Sequence, residues 1–447
     1  MTSTISSKCL PKQYHIPILS DMNVNLEITQ NALDLPISEF FNMAARINKK
    51  RGFLFVSKIL GKHLPVNPYK PLLASGLLAS TYYERVTGHS VNHLLEIRDG
   101  FLSDQNEDIQ RAYEMLRRNS LALQEPPIVI GFAETATALG HGVFDCFQQG
   151  YYIHTTRENV GDLVPEFNFK EEHSHAVDQR CYANRSILEK PNPIILVDDE
   201  ITTGKTCLNI IHELHAKYPR EHYVVLSLLD WRSEEHMEQY QALEKQLGIT
   251  IRVESLLKGT IAFEGHPLER PINDFYSIEA STVEPFFHRI NLSSEFRSLP
   301  ENGYLSYSGR FGINEADKAV IEESCQKASK LLNKEPLGGK TLCLGTGEFM
   351  YIPMKIASYL EGDISYHSTT RSPIQPVNLD NYAITEGFTF QNPEDQAIQH
   401  YVYNIPKGEY DEVFVFFEKR VSDENVMEIA TLLNEREIKT VYIVTCS

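Results

Sequence analysis

The 447-residue chain is 42% apolar and 23% charged, the balance of a folded globular protein, and its length calls for roughly two to three domains, which excludes disordered and fibrous classes. A net charge of −18 argues against broad attraction to nucleic-acid phosphates, although a local basic pocket stays open. Seven scattered cysteines without a CxxC pair read as buried thiols in a reducing compartment, and neither a signal-peptide profile nor an apolar run of about 18 residues is present, so a cytoplasmic protein without membrane or nucleic-acid partners is expected.

In chain order, residues 1–30, polar and interrupted by Pro11 and Pro17, read as an N-terminal arm. From Ser38, a candidate N-cap, the residues Phe40, Phe41, Ala44, Ala45 and Ile47 recur at helical spacing. The basic cluster Arg46, Lys49, Lys50 and Arg51 then complements the helix dipole or meets an anionic ligand. Short β-branched runs at 127–131, 151–155, 193–197 and 223–229 alternate with helical segments at 109–118, 136–147 and 206–217. That alternation predicts an open α/β parallel sheet, whose ligands gather at the carboxyl ends of the strands, in a domain over 31–245. Residues 246–302, with Pro267, Pro271 and Pro285, read as a bridging segment. A second, smaller α/β domain follows over 303–447, with a helix at 314–332 and strands at 340–344, 364–367, 412–417 and 440–444.

The two halves share a spacing. Glu134 and Arg157 lie 23 positions apart, as do Glu348 and Arg371, an offset of 214 that also pairs Gly131 with Gly345, Tyr152 with Tyr366 and Thr155-Thr156 with Thr369-Thr370. Further on, an offset of 219 pairs Asp199 with Glu418 and Tyr223 with Tyr442. Duplication explains this, with the shared layout of any two βαβ units as the alternative. In the second copy Asp198 has become Phe417, and the residues matching 202–206 read Val421-Ser422-Asp423-Glu424-Asn425, so that copy is degenerate.

The chemistry concentrates at Ile194-Ile195-Leu196-Val197-Asp198-Asp199-Glu200-Ile201-Thr202-Thr203-Gly204-Lys205-Thr206. Two carboxylates at the end of an apolar strand accept hydrogen bonds from vicinal sugar hydroxyls and offset a developing oxocarbenium charge. The turn of Thr202, Thr203, Gly204, Lys205 and Thr206 at a helix start offers N–H groups and hydroxyls to a phosphate, with Gly204 admitting close backbone approach. A Walker loop would need glycine five residues before Gly204, where Asp199 stands. A simple capping turn needs one of these polar residues, not all of them.

Residues 197–206 resemble the motif of type I phosphoribosyltransferases that binds 5-phosphoribosyl-1-pyrophosphate (PRPP). The wider chain resembles the orotate-phosphoribosyltransferase-like family with a C-terminal TRSP domain that accompanies bacterial tellurite-resistance and stress gene clusters. The residues behind this are 46–68, 131–140, 171–176, Gly309-Arg310-Phe311-Gly312 and Thr370-Arg371-Ser372-Pro373. The resemblance implies a type I phosphoribosyltransferase-like open parallel sheet with a hood, followed by the TRSP-type domain. It places the ribose on Asp198 and Asp199, the 5′-phosphate in the 202–206 loop, and pyrophosphate near Ala133, Glu134, Thr135 and Arg157. Glu134 is not a typical pyrophosphate contact.

A polar loop with Lys170, Glu171, Glu172, His173 and His175 stands where this class closes a catalytic loop over the site, so Lys170, Glu172 and His173 join the candidate catalytic residues. A solvated loop and a His-x-His metal site are the alternatives. Asp230 and Trp231 follow the strand after the phosphate loop, where related enzymes recognise the base, and a buried interface tryptophan is the other reading. Mg²⁺ is expected as cofactor, held mainly by PRPP rather than by a protein site. The expected reaction transfers the phosphoribosyl group to a small base-like acceptor with release of pyrophosphate, in the making of a nucleoside-like metabolite. A PRPP-sensing regulator, a phosphoribosyl lyase and a PRPP synthetase-like enzyme are the rivals. A homodimer is the expectation from the family, unless the duplicated domain mimics one.

Overall fold

The computed structural model describes residues 11–48, 51–169, 179–268, 271, 275–277, 285–299, 301–334 and 339–447. The chain divides into two units that are discontinuous in sequence. The first comprises Met1–Glu39, Pro71–His266 and Gly309–Glu315, and the second Phe40–Lys70, Pro267–Ser308 and Ala316–Ser447.

In the first unit a mostly parallel sheet runs in the order Lys12–Leu19, Met22–Asn31, Thr250–Glu264, His222–Asp230, Ile194–Ile201, Ile128–Gly131, Tyr151–His154 and Ile313–Asn314. The five strands from Thr250–Glu264 to Tyr151–His154 are mutually parallel, and the outer ones are antiparallel. Ile128, Val129 and Ile130, and Ile194 through Val197, are fully buried, as strands covered on both faces must be. The helices Ala136–Cys146 and Lys205–Lys217 follow two of these strands and bury Leu139, Val143 and Phe144, and Ile210, Ile211 and Leu214.

Residues 1–30 are not an arm where they are described. Lys12–Leu19 and Met22–Asn31 form a hairpin whose second strand buries alternate residues, Val24, Leu26 and Ile28, and extends the sheet. Pro17 is tolerated because its strand is the sheet edge and the register shifts there. Nor is 246–302 simply a bridge. Thr250–Glu264 pairs parallel with His222–Asp230 through Lys258, then antiparallel with Met22–Asn31. Gly259 sits at the register shift, where a Cβ would stand 2.2 Å from the Glu27 carbonyl oxygen.

The helix expected from Ser38 is a short 3-10 turn, Ile37–Glu39, followed by a hairpin of Phe41–Ala45 with Phe53–Ser57 in the second unit. Phe41, Met43 and Ala45 fit a period of two as well as the helical one, and pairing with the alternating FLFVS run decides between them. Arg46 and Arg51 therefore flank a hairpin connection, with the Arg46 amide donating to the Gly52 carbonyl at 2.9 Å.

The second unit repeats the centre of the first. Its parallel sheet runs His288–Asn291, Thr440–Thr445, Glu412–Phe417, Lys340–Gly345 and Asp363–Ser368. Val129 opposes Tyr152 and Cys343 opposes Tyr366, so the offset of 214 is preserved in register. Gly131 opposes Val197 and Gly345 opposes Phe416, which preserves the offset of 219. The hairpins correspond as well, Phe167 opposing Cys181 as Phe388 opposes Val402. One detail differs from the sequence pairing: Tyr223 opposes Ile194 while Val441 opposes Val413, so the register partner of Tyr223 is Val441 rather than Tyr442. Shared order and register over four strands and a hairpin exceed what a generic βαβ layout requires.

Candidate functional site

The site of the first unit lies where strand order reverses. From Ile128–Gly131 the chain proceeds to the strand on one side, Tyr151–His154, and from Ile194–Ile201 to the strand on the other, His222–Asp230. Such a switch point opens a crevice at the strand ends. Ile128–Gly131 stops opposite Val197, whereas His222–Asp230 continues to Asp230, opposite Ile201. Asp198 and Asp199 therefore lose a neighbouring strand on one side only, and both are half-buried after four fully buried residues. The strand runs on through Ile201, so the two carboxylates flank its end, one to each side. The Asp199 amide donates to Asp198 Oδ1 at 3.0 Å.

Thr202, Thr203 and Gly204 make the turn into the 13-residue helix Lys205–Lys217. Gly204 has φ 76° and ψ 5° and occupies the N-cap place, so the helix N-terminus, with its partial positive charge, faces this turn. Thr203 Oγ1 accepts from the Lys205 amide at 3.3 Å. Lys205 is exposed and Thr206 half-buried. Behind the turn the Tyr240 hydroxyl donates to the Gly204 carbonyl at 3.0 Å, and a Cβ on Gly204 would stand 2.3 Å from that hydroxyl oxygen. The Arg232 guanidinium lies 4.3 Å from the centre of the Tyr240 ring and makes two 2.8 Å bonds to the Asp230 carboxylate. Burial pushes the Cys207 thiol up, which leaves it a packing residue of the first helical turn.

This network gives Asp230 and Trp231, which the sequence offers for base recognition, a packing and buttressing environment behind the turn. Asp230 is 1% exposed and engaged by Arg232, and Trp231 is 1% exposed with Gly259 beneath its ring. A polar tip near a ligand loop looks the same in sequence whether it points outward or supports the loop from behind.

On the other side of the crevice, residues 132–135 follow Gly131. The Phe132 amide donates to the Val197 carbonyl at 3.2 Å and the Ala133 amide to Thr155 Oγ1 at 3.0 Å. The Ala133–Glu134 peptide is cis. Gln179 Nε2 donates to the Ala133 carbonyl at 2.8 Å while its Oε1 accepts from the Thr155 hydroxyl. Glu134, 7% exposed, lies 3.7 Å from Arg157 Nη1 through Oε1, so its carboxylate orients that cation. Thr135 is half-buried ahead of the helix Ala136–Cys146. The structure thus brings Asp198, Asp199 and the 202–206 turn to one side of the switch point, and Ala133, Glu134, Thr135 and Arg157 to the other. Lys170, Glu172 and His173 lie outside the described residues.

Gln179, Tyr240 and Arg232 are neighbours of the candidate site that the sequence did not disclose. Gln179 stands alone between polar residues, and Arg232 reads as one more surface cation until its partner is seen.

The second unit keeps half of this arrangement. The Gly347 amide donates to Thr369 Oγ1 at 3.0 Å, as Ala133 does to Thr155, and His400 Nδ1 lies 3.2 Å from that hydroxyl in the place of Gln179. At the other strand end, Phe417 is buried and Glu418, the counterpart of Asp199, accepts from the Leu305 amide at 3.0 Å. Ser422 caps the helix Asp423–Glu435 by accepting from the Asn425 amide at 3.2 Å. A side-chain cap stands where the first unit has its glycine turn.

Residues 40–260 match a family model described as Phosphoribosyl transferase, PRTase_2, and residues 307–434 match one described as TRSP domain C terminus to PRTase_2. The chain thus carries a phosphoribosyl transferase domain followed by a TRSP C-terminal domain, on a mixed α/β fold with a large, mostly parallel sheet. Among solved structures it is similar to an adenine phosphoribosyltransferase from Giardia lamblia complexed with 9-deazaadenine, at 15% identity over 29% of this chain and 69% of that one, with a TM-score of 0.21. It is also similar to the Trypanosoma brucei adenine phosphoribosyl transferase in complex with AMP, pyrophosphate and ribose-5-phosphate, at 14% identity over 44% of this chain and 87% of that one, TM-score 0.22. No curated protein matches. No helix among the described residues is long and apolar enough to cross a membrane.

Proposed function

We propose that the first unit binds Mg²⁺-PRPP at the switch point and transfers its phosphoribosyl group to a small base-like acceptor. The observation that carries this reading is the pair Asp198 and Asp199, half-buried at a strand end beside a glycine turn at a helix N-terminus. Sugar hydroxyls seated over the strand end donate to the two carboxylates, whose charge stabilises the oxocarbenium-like sugar as the C1–O bond breaks. The 5′-phosphate takes the 202–206 turn, where Gly204 and the helix N-terminus favour an anion. Pyrophosphate departs toward Ala133, Glu134, Thr135 and Arg157, with the acceptor's lone pair forming the new bond at C1.

The fit to Mg²⁺ is that of a substrate-borne ion. Two acids at the crevice suit an ion bound through one or two carboxylates plus phosphates. When bound, the ion compensates the charge of the leaving pyrophosphate. Lys170, Glu172 and His173 are assigned to loop catalysis on the resemblance alone, as are the orotate-phosphoribosyltransferase-like family, the tellurite-resistance and stress context and the nucleoside-like product.

The test is calorimetric titration of the full chain with Mg²⁺-PRPP beside the Asp198→Asn, Asp199→Asn double variant. Saturable binding lost in the variant is the expected result. Equal binding by both would remove these acids from the site, and no binding by the unaltered protein would end the PRPP reading.

A further inference from the structure

The match to the phosphoribosyl transferase family ends at residue 260, and Arg310 lies within the TRSP match at 307–434. Structurally, however, Gly309–Glu315 belongs to the first unit. The segment is laced in by its main chain: the His154 amide donates to the Gly309 carbonyl at 3.1 Å, the Asn184 amide to Phe311 at 3.1 Å, and Ile313 pairs antiparallel with Tyr152. Gly309 has φ +98°, and a Cβ there would stand 2.4 Å from the Tyr152 ring. This path carries Arg310, 1% exposed, against the strand end that contains Thr155, Thr156 and Arg157. Its guanidinium donates to Thr156 Oγ1, with Nη2 3.7 Å from Glu158 Oε2. Burying a guanidinium is costly unless it is paired, and the partners of this one, Thr156 and Glu158, lie on the strand end assigned to pyrophosphate.

The second unit supplies an independent instance of the same device. Phe40–Lys70 belongs to that unit, and there Gly61, with φ +68°, approaches Tyr366, the register counterpart of Tyr152, so that a Cβ would stand 2.6 Å from its ring. The next residue, Lys62, is 1% exposed and donates to the carbonyls of Gly347 at 2.8 Å and Thr369 at 2.9 Å. Gly347 and Thr369 are the counterparts of Ala133 and Thr155. Each unit thus seats a glycine-cation pair, brought from a remote stretch of chain, on the same strand-end loops. In the second unit the cation is spent on two carbonyls. In the first it is a guanidinium facing the Thr156 hydroxyl and the Glu158 carboxylate, the two residues on either side of Arg157.

We propose that Arg310 is a positioning residue for the pyrophosphate end of the site, fixing the Thr155-Thr156-Arg157 strand end. The phosphoribosyl transferase unit is therefore complete only with a segment from the TRSP region. This inference rests on the PRPP reading above, and its test separates the two. Full-length protein, Arg310→Met and Arg310→Lys are titrated separately with Mg²⁺-pyrophosphate and with ribose 5-phosphate, and melted to check folding.

Arg310→Met is expected to weaken pyrophosphate about 10-fold or more, as loss of a charge-assisted contact does, and ribose 5-phosphate by less than about twofold. Arg310→Lys, which keeps the charge but not the fork, falls between. A folded Arg310→Met protein that binds pyrophosphate like the unaltered chain, or loses both ligands equally, overturns the proposal. Where Arg310→Met fails to fold, Arg310→Lys decides, and unchanged pyrophosphate affinity overturns it. An unaltered protein that binds neither ligand sinks the PRPP reading and this inference together, whereas a selective failure touches the inference alone.

Discussion

The two units share a strand order, a register and a Thr-Thr-Arg strand end, yet one carries two half-buried acids in its central strand just past the point where a neighbour stops, and the other a buried phenylalanine and an acid capped by its own chain. The lesson is that sheet geometry and pocket chemistry are separable. Parallel pairing survives as long as Ile, Val, Leu and Phe fill the strands. A ligand site needs a polar residue at one particular step where a neighbouring strand stops, and the same strand order forms with Phe417 at that step.

The strongest way to break this comparison is to equalise the acids. Asp198→Asn with Asp199→Asn is expected to lower PRPP turnover by at least about 1,000-fold, since charge stabilisation at a developing cation is worth about 4 kcal/mol. Glu418→Ala in the other unit should leave turnover within about twofold but cost about 1–3 kcal/mol of stability, because the Leu305 amide loses its acceptor. Steady-state assays and denaturant unfolding of the same preparations read both, and a loss of turnover in Glu418→Ala would show that the second pocket takes part.

Next in size, Gly204→Ala forces a positive φ on a residue with a Cβ and drives that atom into Tyr240. PRPP affinity is expected to fall about 10- to 100-fold with the melting temperature lowered only modestly, the penalty being local strain of about 1–3 kcal/mol. Tyr240→Phe removes one buttressing hydrogen bond, and a loss of about 3- to 10-fold in PRPP affinity corresponds to about 1 kcal/mol. Trp231→Phe should lower stability by about 1–3 kcal/mol while changing kcat/KM little. The reverse pattern, activity lost and stability kept, would return Trp231 to base recognition.

One expected effect, on stability and not on activity, is common to both units. Burial, with Arg310 adding to it, lowers His154 from 6.5 to about 3, and burial lowers His367 to about 4. Both stay neutral when folded and take up a proton near pH 6.5 when unfolded, so their stabilising contribution is full above that pH. It declines as pH falls below 6.5, the decline ending near pH 4 for His367 and near pH 3 for His154. Urea midpoints should fall over that window, and His154→Gln should flatten part of the slope.

Much of this was legible in sequence because it is local. The strand-acid-turn-helix order of residues 194–217 is written in consecutive residues, and the degenerate copy betrays itself by offset alone. What was not legible depends on partners far along the chain. Phe40 to Ile47 satisfies helical and strand periods alike, and the choice is made by pairing with Phe53–Ser57. The polar hairpin at the N-terminus passes for an arm because its edge strand is exposed, and its partner, Thr250–Glu264, lies more than 200 positions on. Asp230 and Trp231 stand at the expected strand end and are buried there, a feature that only packing reveals. Arg310 meets Thr156 across 154 positions, with no spacing rule to announce it.

The exchange of segments also sets an order of events during synthesis. Phe40–Lys70 is made before the strands of its own unit, from Lys340 to Thr445, which lie 270 or more positions further on. At about 5–20 residues per second that wait is on the order of tens of seconds. Throughout it the hairpin's phenylalanines have no permanent home, and the first unit meanwhile lacks its last edge strand until residue 315 is out. Nascent chains stalled between these points should be the ones that chaperones hold longest.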